Sequence, residues 1–118
     1  MKEILVVDDE IGVREAFRTI LKDDYHVLIA ENGEQAIELL KVNKNIRLVI
    51  LDIILPGISG IEVLKQIKKI NLGLPTMIVT ATRNEQSLTE AMQLGAVSYI
   101  TKPFGAKQVK EIIQNTVN

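Results

Sequence analysis

The chain has 118 residues, a length that fits one domain. It has no cysteine, which excludes disulfide bonds, a cysteine nucleophile and thiolate metal sites. Its 14 basic and 15 acidic side chains give a formal net charge of -1, so we expect no direct binding of nucleic acid. The longest apolar stretches have four residues, far short of the ~20 that a membrane-spanning helix needs. The composition therefore predicts a soluble protein of the cytoplasm, without membrane association.

In the first half of the chain, three short apolar runs alternate with segments of helical periodicity. Residues 4–7, 27–30 and 48–51 are apolar throughout, which is typical of strands covered on both faces of a parallel sheet. Apolar residues recur at helical spacing over 13–21 and again over 36–40. The pattern therefore predicts three strands with a helix in each of the two intervals.

The second half repeats this alternation. Helical spacing over residues 61–70 is followed by an apolar run at 77–79 that ends at Thr80. A fourth helix is predicted around residues 88–92, with the weakest apolar face of the five, and a fifth around 109–116. Between them, residues 97–101 form the last predicted strand.

Five strands alternating with five helices predict an α/β fold with a parallel sheet covered by helices on both faces. Right-handed crossovers make it a doubly wound, three-layer sandwich. The sequence shows no linker, repeat or low-complexity tract. We therefore expect residues 1–118 to form a single domain, either a whole protein or part of a longer one.

Polar side chains stand where the predicted strands end. They are Asp8, Asp9, Asp52, Thr80 and Lys102. In an open α/β sheet, ligands bind beyond the carboxyl ends of the strands, so we expect these groups to share one edge. Carboxylates placed together repel one another unless a cation intervenes. A hard divalent cation with oxygen ligands, Mg²⁺ or Mn²⁺, suits such a cluster.

Three carboxylates, a divalent cation and a lysine indicate a phosphoryl site. Asp52 stands alone at the end of the central strand, so it is the candidate nucleophile that forms an aspartyl phosphate. Asp8 and Asp9 are the candidate metal ligands. Lys102 would contact the phosphoryl oxygens, and Thr80 would donate a hydrogen bond to one of them.

Each of these residues also has an ordinary structural explanation. Asp8 and Asp9 could form a turn and a helix cap, and Asp52 could be a loop acid before a Pro-Gly turn. A lone threonine such as Thr80 is usually structural, and a lone lysine such as Lys102 is usually a solvated charge. Their joint placement at the strand ends favours the functional interpretation.

Three other kinds of protein remain as alternatives. A haloacid-dehalogenase-like, Mg²⁺-dependent phosphatase would need a second aspartate two residues after its nucleophile, where this chain has Ile54 after Asp52 and Glu10 after Asp8. A nucleotide-binding domain would need a glycine-rich first turn, where this chain has carboxylates. A purely structural flavodoxin-like module would not need both Thr80 and a lysine before a proline.

Several short motifs, in this order and spacing, are together highly specific. They are Val6-Val7-Asp8-Asp9-Glu10, Leu51-Asp52, Leu55-Pro56-Gly57-Ile58-Ser59-Gly60, Thr80-Ala81, Gly95-Ala96 and Tyr99-Ile100-Thr101-Lys102-Pro103-Phe104. With them the whole chain resembles the receiver domain of two-component response regulators. The resemblance implies a flavodoxin-like (βα)5 fold with strand order 2-1-3-4-5, and a signalling switch whose only chemistry is its own phosphorylation and slow autodephosphorylation.

The resemblance also implies roles and partners. Asp52 matches the phosphoacceptor, which receives its phosphoryl group from a sensor histidine kinase or a histidine phosphotransfer protein. Asp8 and Asp9 match the acidic pair, with Asp9 the more direct Mg²⁺ ligand, and the backbone carbonyl of Ile54 matches a further ligand. The output would be a downstream protein target or an effector domain outside this chain, with phosphorylation-dependent dimerisation as one form of it.

The switch of the family is matched by the residues of the last strand and its neighbour. Thr80 and Tyr99 match the switch pair, and Lys102 matches the lysine that contacts the phosphoryl group. The Lys102–Pro103 bond matches one that is usually cis. The surface of the fourth helix, fifth strand and fifth helix is expected to change with phosphorylation.

Overall fold

Strands and helices alternate along residues 1–117, the part of the chain that the computed structural model describes. The strands are β1 (Glu3–Val7), β2 (His26–Ala30), β3 (Ile46–Leu51), β4 (Thr76–Thr80) and β5 (Ser98–Thr101). The helices are α1 (Ile11–Leu21), α2 (Gly33–Val42), α3 (Gly60–Ile70), α4 (Glu85–Gln93) and α5 (Ala106–Val117). Every predicted element is present, although β3 begins two residues earlier than predicted and β5 one residue later.

The five strands form one parallel sheet in the order β2-β1-β3-β4-β5. This order confirms the doubly wound fold expected from the sequence. The register places Val7 opposite both Ala30 and Leu51, and Thr80 opposite Thr101. The carboxyl ends of the strands therefore lie at one edge of the sheet.

A hydrophobic core lies on each face of the sheet. Alternate residues of each strand point to opposite faces, so Leu5 and Val7 pack beneath α2 and α3 while Ile4 and Val6 pack beneath α1 and α5. Both faces of the strands are covered, which explains why the strands are apolar at successive positions rather than alternating.

The helices differ in how firmly they are held. Side chains of Asn32, Ser59 and Asn84 cap α2, α3 and α4 by accepting backbone N–H bonds, whereas the side chain of Glu10 makes no such bond to α1. α4 buries only Ala91, the weak apolar face that the sequence predicts. No helix within residues 1–117 is both long enough and apolar enough to cross a membrane.

Gly60 lies where α3 starts close to the end of β3. A Cβ at this position would collide with the backbone oxygen of Asp52 and lie 2.5 Å from the Cα of Ile53. We expect Gly60→Ala to destabilise the fold by about 1–3 kcal/mol, because backbone rather than a movable side chain must give way. The measurement is the free energy of unfolding in urea.

The matched control is Gly12→Ala in α1, since a Cβ there meets nothing within 4 Å. This change should leave stability unaltered or raise it by about 0.5–1 kcal/mol, because alanine has less backbone entropy to lose in a helix. Equal effects of the two substitutions would contradict the close approach at Gly60.

Candidate functional site

Four carboxylates meet at the carboxyl edge of the sheet. Asp8, Asp9 and Glu10 follow β1, and Asp52 follows β3. Each of the four residues has one carboxylate oxygen that lies within 4.8 Å of one carboxylate oxygen of each of the other three. Asp8 and Asp52 are buried, while Asp9 and Glu10 are exposed. The structure thus brings together the three predicted acids and adds Glu10, which was not predicted as a site residue.

Backbone hydrogen bonds of the sheet fix where these residues stand. Beyond the strand ends, the N–H of Asp8 donates to the carbonyl of Ala30 at 3.1 Å, and the N–H of Asp52 donates to that of Val7 at 3.1 Å. The N–H of Lys102 likewise donates to the carbonyl of Thr80 at 2.9 Å. Because the ladder continues into the site, the backbones of Asp8, Asp52 and Lys102 start from rigid positions.

The ammonium of Lys102 lies among three of the carboxylates. Its Nζ is 2.9 Å from Glu10 Oε1, and 3.0 Å from both Asp8 Oδ2 and Asp52 Oδ2. Burial alone would lower the pKa of Lys102, but its hydrogen bonds to Glu10, Asp52 and Asp8 outweigh burial and raise that pKa. The lysine therefore carries a fixed positive charge at neutral pH.

Asp8 has an environment that opposes its ionisation. Burial raises the pKa of its carboxyl, against the opposing effects of the Glu10 N–H, at 2.9 Å, and of Lys102. The charge of Asp52 raises it further. One ammonium among four carboxylates leaves excess negative charge, and the oxygens available are those that a hard divalent cation prefers. The donor set therefore fits Mg²⁺ or Mn²⁺.

Asp52 lies at the centre of the site with both carboxylate oxygens engaged. Oδ1 accepts the backbone N–H of Ile54 at 3.2 Å, while Oδ2 faces Lys102. The side chain of Ile54 points to solvent. In the loop that continues toward α3, Gly57 has a φ of 75°, a conformation that favours glycine.

The two candidate switch residues have opposite environments. Thr80 is fully buried, and its Oγ1 accepts the backbone N–H of Thr82 at 3.3 Å. Tyr99 is 48% exposed and lines a shallow groove beside Leu88 and Met92 of α4. In this structure Tyr99 is therefore a surface residue rather than part of the core.

The segment after β5 is anchored to α1. The Lys102–Pro103 peptide bond is cis. The ring of Phe104 stacks on that of Phe17, with ring centroids 4.7 Å apart. This aromatic contact holds the chain that carries Lys102 against the helix that comes after Asp8 and Asp9.

Sequence reasoning also missed Arg14, a buried residue of α1. Its Nη1 donates to the backbone carbonyl of Asp8 at 2.9 Å, and its Nη2 lies 3.6 Å from a carboxylate oxygen of Glu31. The sequence did contain a signal that Arg14 is buried. Arg14, Phe17 and Leu21 are spaced so that they fall on one face of the helix, and they are the buried residues of α1.

Comparisons with known proteins agree on the family. The model of the response regulator receiver domain matches residues 4–114. The chain is 32% identical over 114 residues to sporulation initiation phosphotransferase F of Bacillus subtilis, covering 96% of this chain and 91% of that protein. It is 38% identical over 117 residues to the chemotaxis protein CheY of the same organism, covering 98% and 97%.

Further matches include a longer protein and a solved structure. The chain is 38% identical over 109 residues to the alkaline phosphatase synthesis transcriptional regulatory protein PhoP of Bacillus subtilis, covering 92% of this chain but 45% of PhoP. The crystal structure of a CheY-like response regulator receiver domain protein from Methanospirillum hungatei has a TM-score of 0.94 at 27% identity, covering 99% of this chain and 94% of that chain. With a family match across almost its whole length, this chain belongs to the response regulator receiver domain family.

Proposed function

We propose that this receiver domain accepts a phosphoryl group on Asp52 from a phosphohistidine of a sensor histidine kinase or a histidine phosphotransfer protein. The observation that carries the proposal is the position of the Asp52 carboxylate, which is buried at the end of the central strand and 3.0 Å from Lys102 Nζ. A carboxylate oxygen of Asp52 attacks the phosphorus, the phosphorus–nitrogen bond breaks, and the imidazole leaves. The product is an aspartyl phosphate.

The other site residues then have separate tasks. Asp8, Asp9, Asp52 and the backbone carbonyl of Ile54 would hold Mg²⁺ or Mn²⁺, which supplies positive charge against the phosphoryl oxygens when bound. Lys102 contributes a second positive charge, and phosphorylation would draw it from its carboxylate partners toward the phosphoryl group. Lys102 and Asp52 are thus the residues that take part in the reaction itself.

The signal would pass from the site to α4, β5 and α5. Thr80 would turn to donate a hydrogen bond to a phosphoryl oxygen, and Tyr99, now on the surface, would turn inward. α4 offers little resistance because it buries only Ala91. Phosphorylation thereby shifts the population between two arrangements of this surface.

The output partner is a downstream protein or an attached effector domain. Both a short and a long relative are known, since the chain covers 91% of a phosphotransferase but 45% of a transcriptional regulator. Phosphorylation-dependent dimerisation through the α4-β5-α5 surface is a further form that the output could take. The phosphatase alternative is not favoured, because the relatives are response regulators. Absence of direct nucleic acid binding and a cytoplasmic location stay predictions.

Asp52→Asn tests the acceptor. With acetyl phosphate and Mg²⁺, the wild-type protein should gain the mass of one phosphoryl group, and alkali should remove it. Asp52→Asn should gain none, because an amide is not a nucleophile toward phosphorus. Intact-protein mass spectrometry measures the gain.

Asp23→Asn, a change of an exposed acid beyond the end of α1, is the control and should be labelled normally. Undiminished labelling of Asp52→Asn would move the acceptor elsewhere.

Asp9→Asn tests the metal site through thermal unfolding. Mg²⁺ at tenfold excess over its dissociation constant should stabilise the wild-type protein by about 1.4 kcal/mol, or a Tm increase of about 4–8 °C. Asp9→Asn should lose most of this increase, whereas Glu62→Gln, a change of an exposed acid in α3, should keep it. Equal Tm increases in both variants would remove Asp9 from the ligand set.

The same stabilisation should depend on pH. Burial raises the pKa of Asp8 above its usual 3.8. Stability due to its bound proton is fully present below pH 3.8 and is lost as the pH rises through the higher folded-state pKa. The metal replaces that proton, so Mg²⁺ should raise the Tm more at about pH 7.5 than at about pH 4. A Tm increase that does not change between these conditions would argue against binding at the ionised cluster.

Lys102→Ala tests how the signal starts. Mg²⁺ binding should survive, because the substitution removes an ammonium that competes with the metal for the same carboxylates. The response to a phosphoryl mimic should weaken, since the fixed charge that pairs with the mimic is gone. The readout is the change in the NMR signals of the Tyr99 ring on adding beryllofluoride with Mg²⁺. Lys107→Ala, an exposed position in α5, is the control. A normal Tyr99 response in Lys102→Ala would show that the proposed role is wrong.

A further inference from the structure

We propose that Arg14 is a positioning residue for the carboxylate cluster: its guanidinium holds the backbone carbonyl of Asp8 and so fixes the turn that presents Asp8 and Asp9 to a divalent cation. Arg14 Nη1 donates to the Asp8 carbonyl at 2.9 Å, within the protein interior. This inference rests on the proposed function, because it concerns the same cation.

If Arg14 served only to pack the core, a charged side chain would be unfavourable at its position. Its residue exposure is 8%, and removing a guanidinium from water costs free energy unless it is paired. It also lies near the N-terminus of α1, where the helix dipole disfavours positive charge. α2, α3 and α4 each place an acidic residue in the first turn, whereas α1 has none.

The ion pair with Glu31 does not offset the free-energy cost of burying the Arg14 guanidinium. The two side chains are 3.6 Å apart, but that of Glu31 is largely exposed, so solvent screens the attraction. The closer contact is the hydrogen bond to the carbonyl of Asp8, the residue at which β1 gives way to the acidic turn. The buried guanidinium therefore has its close partner at the acidic end of β1 rather than at the surface.

The bond to the Asp8 carbonyl orients the acidic turn between β1 and α1. Asp8 also accepts the Glu10 N–H through its side chain, so the turn from Asp8 to Glu10 is held from both ends. Asp9 lies between them, is exposed and belongs to no strand. Without the Arg14 bond, the peptide after Asp8 gains freedom, and the carboxylates must be ordered again when a cation binds. Groups that orient metal ligands in this way typically contribute about 10–100-fold to affinity.

The test compares Arg14→Met with Arg18→Met. Both remove a guanidinium from α1, but Arg18 has a side chain that is 52% exposed and pairs only distantly with Glu15, at 4.0 Å. Calorimetric titration with Mg²⁺, well below the Tm of each variant, should show at least about tenfold weaker binding for Arg14→Met and wild-type affinity for Arg18→Met. Hydrogen exchange of the Glu10 amide, without metal, should be faster in Arg14→Met alone.

A structural role alone would lower the Tm of Arg14→Met without changing the Mg²⁺ affinity of the folded protein or the exchange of the Glu10 amide, and that result overturns the proposal. Should Arg14→Met fail to fold, Arg14→Lys decides, because an ammonium keeps the charge but not the planar donor arrangement. It should bind Mg²⁺ more weakly than the wild-type protein, and unchanged binding overturns the proposal. If the wild-type protein binds no Mg²⁺, the metal site of the proposed function fails as well.

Discussion

The site is organised by an excess of negative charge that a single ammonium only partly neutralises. Lys102 Nζ lies about equally close to Glu10, Asp8 and Asp52, so the lysine cannot be assigned to any one of them. Four carboxylates around one ammonium form an arrangement that gains from a further cation. In the proposed function, a divalent cation would offset this imbalance, and its charge together with that of Lys102 would allow the site to receive a phosphoryl group.

The sheet supplies the rigidity that such an arrangement needs. Repulsion would separate the carboxylates if they stood on flexible loops. Instead the backbones of Asp8, Asp52 and Lys102 are bonded to neighbouring strand ends, within one residue of the ladder. α4 is less constrained, because it buries only Ala91. In the proposed function, this rigid charged edge and the loosely packed α4 would convert a local change of charge into a change of surface shape.

The sequence could predict the fold because its strands are covered on both faces. Runs such as residues 48–51 are apolar at every position, which distinguishes a parallel strand from a surface strand. In a parallel sheet, the carboxyl ends of all strands lie at one edge, so Asp8, Asp52 and Lys102 could be grouped from the sequence alone. Element boundaries were less exact, because β3 and β5 begin where backbone pairing begins rather than where the apolar run begins.

The contacts that the sequence could not predict are those made by long side chains across the fold. Glu10 follows the two aspartates that could form a turn and a helix cap, and its side chain reaches a lysine 92 positions away. The spacing of Arg14 places it on the buried face of α1, but only the structure reveals that its guanidinium bonds the strand end rather than water. Both contacts depend on rotamers that tertiary packing selects. In the proposed function, these two charged side chains help to tie the start of α1 to the acidic edge, Glu10 through the ammonium of Lys102 and Arg14 through the backbone of Asp8.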